Sequence, residues 1–155
     1  HRGVVTQAVI YDPVRNDLFT ATKGAGAYLN EKRIRVTKLD RISNALLGTG
    51  YVAGSARALD EYLKMYAIMG ERSQGVRRAG SAALDLAYVA CGRLDGFYEK
   101  GLKPWDIAAG ALMITESGGI VGEFSGESDY LYKGDVIAAS PKIFGQMITL
   151  LTPFA

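Results

Sequence analysis

The sequence predicts a layered α/β fold, and three observations carry that prediction. The first 40 residues alternate apolar and polar positions between turn residues, which reads as an antiparallel meander. From residue 43 onward, short apolar strands alternate with segments of helical periodicity, the succession that lays helices over a sheet. Over 155 residues, 48% hydrophobic and 22% charged residues supply an ordinary globular core. The organisation divides at 42/43, with strands of a first antiparallel sheet over 1–42 and an α/β unit over 43–155.

Val4 to Tyr11 is rich in β-branched residues, Asp12 to Asp17 is turn chemistry, and Leu18 to Thr22 resumes the strand, giving a hairpin. Lys23 to Asn30 supplies glycines and then a short strand, and Arg33 to Val36 follows a polar turn at Glu31-Lys32. The Gly24-Ala25-Gly26 triplet reads as a tight turn, because no helix pattern follows it as a phosphate loop requires. After a charged link over 38–41, Ser43 to Tyr51 reads as a strand. Residues 56–69 form an amphipathic helix whose stripe of Leu59, Tyr62, Leu63, Tyr66 and Met69 is expected in the core and which Gly70 is expected to end.

A short strand at Gly75 leads into a second helix that starts near Ser81 and runs to Cys91. Leu94 to Glu99 is a strand, and a third helix spans 105–117, entered by Pro104 and left through Gly118-Gly119. Bulk is scarce on its first turns, at Ala108, Ala109, Gly110 and Ala111, so a neighbour packs close to it. Gly119 to Glu123 is a strand, 125–135 a surface loop, and Val136 to Ala139 a last strand. Ser140-Pro141 caps a final helix from Lys142 to about Leu151.

Composition excludes several classes. A net charge of +2, with 18 basic and 16 acidic residues scattered along the chain, contains no block of the kind that marks a nucleic-acid arm. One cysteine, Cys91, argues against a disulfide scaffold and fits a buried thiol in a reducing cytoplasm. No apolar run reaches the roughly 18 to 20 residues of a membrane span, and no signal-peptide layout is present. The chain begins His1-Arg2-Gly3 and soon enters a strand, so an upstream segment is expected; His1 itself is not expected to be a ligand.

Two stretches invite chemistry. Asp106 falls in the first turn of the third helix, where the terminus stabilises a carboxylate by roughly 0.3–1 kcal/mol, and it is either that or one wall of a cleft it shares with Glu99. Gly80, Ser81 and Ala82 open the second helix, and such small residues let backbone amides approach an anion or polyol; a plain Ser81 N-cap with close packing also accounts for them and is the reading the residues alone favour. Arg77 and Arg78 are either phosphate-attracting or solvated strand ends.

The string Trp105-Asp106-Ile107-Ala108-Ala109-Gly110-Ala111, followed by Glu116-Ser117-Gly118-Gly119, resembles the C-terminal signature of the inositol monophosphatase family of metal-dependent sugar-phosphate phosphatases, in its bacterial, extragenic-suppressor form. The resemblance runs in order over essentially the whole chain. It implies an αβαβα sandwich, here without its N-terminal helices and metal-binding motif. It implies Mg²⁺ as cofactor, lithium sensitivity and a homodimer. It carries Asp106 over as a metal and substrate ligand, Glu99 as a ligand of an inositol hydroxyl, and Ala79, Gly80, Ser81 and Ala82 as substrate-binding residues. Asp12-Pro13 is not the family's Asp-Pro-x-Asp-Gly motif, since Val14-Arg15-Asn16 follows it, and Asp12 is expected to be a turn residue.

Hydrolysing a phosphate monoester without a covalent intermediate calls for a divalent metal held by carboxylates from several segments. By the resemblance, the remaining ligands lie upstream of this sequence, and none of its residues is assigned as catalytic. The expectation is therefore an inositol-phosphate phosphatase in the full-length parent and an inactive chain of 155 residues. Alternatives are a sugar or nucleotide phosphatase of the same fold, or a non-catalytic part in transcription antitermination through RNA-polymerase-associated factors, as bacterial relatives of the family play. The uncovered outer face of the meander is expected to require the missing half or a partner.

Overall fold

The computed structural model describes residues 1–155. Strands β1 (Gln7–Asp12), β2 (Asp17–Thr22), β3 (Gly26–Leu29) and β4 (Lys32–Arg33) form an antiparallel sheet in that order. The register pairs Ala8 with Ala21 and Ile10 with Phe19, so one face buries these small and apolar side chains while Val9, Tyr11 and Leu18 stay exposed on the other. Asp12 is a turn residue, as expected: its Oδ1 accepts from the N–H of Val14 (3.0 Å) and of Arg15 (3.2 Å), and these bonds hold its carboxyl below the usual range.

The rest of the chain gives β5 (Leu46–Thr49), α1 (Ala56–Arg72), β6 (Gly75–Arg77), α2 (Ala82–Ala90), β7 (Gly96–Glu99), α3 (Pro104–Glu116), β8 (Ile120–Gly122), a short α4 (Tyr130–Lys133), β9 (Val136–Ala139) and α5 (Pro141–Leu151). The second sheet has the order β6-β5-β7-β9-β8, with β5, β6 and β7 parallel and β9 antiparallel to both β7 and β8. Its two faces bury different cores. Phe97 of β7 and Ala138 of β9 join Phe19, Leu86, Ile107 and Met113, while their neighbours Tyr98 and Ile137 join Leu47, Met69, Ile143 and Met147. The layers are therefore sheet, α2 with α3, sheet, and α1 with α5. No helix is long and apolar enough to cross a membrane.

The small residues of α3 are explained by its neighbour. A Cβ on Gly110 would run into the Leu86 side chain of α2, so the two helices cross at a distance only glycine allows. α3 is fastened to the first sheet at its far end, where Glu116 accepts the N–H groups of Gly24 (2.7 Å) and Gly26 (2.9 Å). The Gly-x-Gly triplet is a turn whose amides are taken by this internal carboxylate.

Six expectations are corrected. α1 runs through Gly70 to Arg72, because its C-terminus is closed by Ser73, which donates from both N–H and Oγ to the Met69 carbonyl. Its stripe is core only in part: Met69 is buried and Tyr62 packs against the core, but Leu59, Leu63 and Tyr66 are 42%, 54% and 40% exposed, since an outermost helix has a sheet on one side only and buries Met65 and Met69 there. Residues 130–133 of the expected loop form a helical turn, and Ser140 precedes α5 without any hydrogen bond from its Oγ. The strand expected over 43–51 shortens to Leu46–Thr49 behind a 3₁₀ turn at Ile42–Asn44, and that expected over 33–36 to Lys32–Arg33.

Candidate functional site

Because β5, β6 and β7 run parallel, their carboxyl ends meet at one edge of the second sheet, the position where open α/β sheets hold ligands. A cleft of about 340 Å³ lies there. The loop after β5 contributes Gly50, the loop after β6 Arg78 and Gly80, the end of β7 Glu99, and the N-terminal turns of α2 and α3 Asp85 and Asp106. Thr49 fixes the floor by donating its hydroxyl to the Tyr98 carbonyl at 2.9 Å, tying the ends of β5 and β7 together.

The entry to α2 is shaped by Gly80, whose φ of +102° is left-handed backbone that other residues rarely adopt. Ser81 then caps the helix, its Oγ accepting from Leu84 N–H at 3.3 Å. The N–H groups of Ala82 and Ala83 find no acceptor in the protein and open onto the cleft, whose wall these two residues form. The cap and the small-residue seat are thus compatible: one end of the helix is capped and still presents two free amides.

Glu99 is 7% exposed and accepts no hydrogen bond from the protein. Burial pushes its carboxyl up to about 7, the nearby charges of Asp85 and Asp106 add to the rise, and Arg78 opposes it. Asp85, 2% exposed and likewise without a protein donor, is also raised to about 7 by burial. Asp106 is half-buried at the third position of α3, where its Oδ2 accepts the N–H of Lys103 at 3.0 Å and leaves Oδ1 free. Arg78 lines the cleft, whereas Arg77 turns back to its neighbour's carbonyl at Val76 (3.2 Å).

Five of the expected residues, Gly80, Ser81, Ala82, Glu99 and Asp106, are brought to this one cleft. Ala79 is exposed and stands outside its lining. Two residues of the site escape a reading of the sequence. Gly50 is required because a Cβ there would overlap the Glu99 carboxylate, and its signal is the Gly48-Thr49-Gly50 ending of a strand. Asp85 is signalled only as a lone acid within the apolar run Ala82 to Ala90.

The donors present do not complete a metal centre: no three His, Cys, Asp or Glu side chains converge closely enough to hold a cation. Three carboxylates against one arginine nonetheless make the cleft acidic, so it suits hydroxyl donors and a cation, and a phosphate would need added positive charge beside it.

The inositol monophosphatase family profile matches residues 1–152. A putative Nus factor SuhB of Neisseria meningitidis serogroup B is 46% identical over 152 residues, covering 98% of this chain and 58% of the relative. The Nus factor SuhB of Pseudomonas aeruginosa is 45% identical over 155 residues, covering 99% of this chain and 57% of the relative. Among solved structures, the extragenic suppressor protein suhB of Bartonella henselae superposes with a TM-score of 0.92 at 39% identity, over 97% of this chain and 57% of that one. An inositol monophosphatase from Anabaena gives 0.88 at 35% identity, over 98% and 63%. The chain thus spans less than two thirds of the length of the relatives it matches. With its layered fold, its cleft at the ends of the parallel strands and this match along nearly its whole length, the chain belongs to the inositol monophosphatase family.

Proposed function

We propose that this chain forms the substrate wall of a phosphomonoesterase, and that the whole protein hydrolyses inositol monophosphate to inositol and phosphate with Mg²⁺. The observation that carries this reading is the combination, in one cleft, of buried carboxylates lacking protein partners with free N–H groups at the start of a helix. Carboxylates accept hydrogens from ring hydroxyls, while helix-terminal amides and Arg78 favour the phosphate. In this reading Glu99 receives a ring hydroxyl, Gly80, Ser81 and Ala82 let the ring approach the backbone, and Asp106 offers Oδ1 to the cation. Ala79 is left out of the substrate contacts.

Mg²⁺ takes near-octahedral oxygen coordination, which Asp106 by itself does not supply, so these residues bind and orient while bond cleavage is assigned to groups beyond them. The chain of 155 residues is accordingly proposed to be inactive alone. Lithium sensitivity, a cytoplasmic location and a homodimer belong to the same proposal, and the exposed Leu59, Leu63 and Tyr66 support an association surface. A substrate panel on the longer parent tests the assignment. The highest kcat/KM is expected for myo-inositol 1-phosphate; a preference for fructose bisphosphate or a nucleoside 3′-phosphate would replace it with the neighbouring phosphatase reading.

A second reading is supported by the relatives named Nus factors: a non-catalytic role in transcription antitermination, bound to RNA-polymerase-associated factors. Such binding is expected to survive Asp106→Asn in a pull-down. Its loss in that variant would tie the partner to the cleft instead.

A further inference from the structure

Asp85 has no structural role that explains its position. It sits on the fourth residue of α2 between apolar neighbours, 2% exposed, and no backbone or side-chain donor of the protein reaches its carboxylate. β5 passes close beside it, so that a Cβ placed on Gly48 would lie 3.7 Å from its Cγ. A buried acid in this situation disfavours the folded state, and removing it would relieve the protein. The residue is buried but its carboxylate oxygens still reach the cleft, and an acid held there without a protein donor is explained by a ligand that donates to it. Glu99 faces the same cleft in the same condition, and the charge of Asp85 adds to the rise of its carboxyl.

We propose that Asp85, beside Glu99, is a second hydroxyl-recognising carboxylate of the cleft, so that two acids together seat the hydroxyls of a polyol ring and set its selectivity. The inference rests on the reading of the cleft as a polyol-phosphate site. Two acceptors aimed at one small cavity suit a ring with several hydroxyls and offer nothing to an apolar or purely anionic ligand. Each hydroxyl that donates to a carboxylate replaces the water it leaves, and a ligand lacking it strands a buried charge.

The test is titration of the 155-residue chain with myo-inositol by calorimetry, for wild type, Asp85→Asn and Asp85→Ala, with thermal unfolding of each. The expected result is a loss of inositol affinity of about tenfold or more in both variants, together with unfolding midpoints at or above that of the wild type. Inositol affinity within twofold of wild type in Asp85→Asn would overturn the inference while leaving the polyol reading standing. Midpoints that fall along with the affinity would assign Asp85 a structural role and overturn it as well. Failure of the wild type to bind myo-inositol would remove the polyol reading, and the inference with it.

Discussion

Gly50 and Glu99 meet so closely at the ends of β5 and β7 that any Cβ on residue 50 would occupy the space of the Glu99 carboxylate. The glycine therefore shapes the site by leaving room for that carboxylate. Gly50→Ala is predicted to push the Glu99 side chain out of place, lowering inositol affinity about tenfold. The displaced group is the far end of a flexible side chain, so the stability loss is expected to stay below about 1 kcal/mol. Calorimetric titration and urea unfolding of the variant check both effects.

The crossing of α2 and α3 sets the shape of the cleft, because both helices enter it by their N-terminal turns. Gly110→Ala gains about 1 kcal/mol of helix propensity but drives a methyl into Leu86. A net loss of stability is expected, relieved when Leu86→Ala is added. Urea midpoints for the two single variants and the double variant give the coupling, and purely additive losses would contradict the close crossing.

The carboxylate of Glu116 joins the end of α3 to the first sheet through Gly24 and Gly26, and these two bonds hold it below its ordinary range. Glu116→Ala is predicted to lose about 1–2 kcal/mol, the scale of partly exposed charge-assisted bonds. Faster amide exchange at Gly24 and Gly26 should accompany the loss.

Stability should respond to pH from two directions. Glu99 and Asp85 are raised to about 7, so between their unfolded values near 4 and about 7 the folded chain binds more protons than the unfolded one. Stability then falls as pH rises through that window, by an amount on the order of a few kcal/mol for such buried groups. Glu116 and Asp12 are lowered, so what they contribute is present above their unfolded values and fades as acid takes pH below them. The expected stability maximum lies near pH 5, and Asp85→Asn should flatten the slope on its alkaline side. Unfolding free energies across pH 4–8 test this.

Local periodicity made most of the fold legible. The hairpin of β1 and β2, the Pro104 entry of α3 and the cap at Ser81 are set by neighbours in sequence, and each appears where its residues indicated. The α1 stripe misled because periodicity reveals an apolar face but not whether a second layer covers it: Leu63 and Met65 are alike in sequence, and only Met65 meets the sheet. In the site, Glu99 and Asp106 carried a family signature. Gly50 and Asp85 did not, because their roles arise from packing between segments about 50 and 14 residues away from Glu99, a separation no local pattern records.

The central claim, a substrate wall that requires further groups for hydrolysis, is tested most directly by phosphate release from myo-inositol 1-phosphate with and without Mg²⁺. The 155-residue chain, its Asp106→Asn variant and the longer parent are compared. The account predicts no turnover by the chain or its variant and Mg²⁺-dependent turnover by the parent. Metal-dependent turnover by the chain, lost in Asp106→Asn, would contradict it by showing that these residues assemble a working centre.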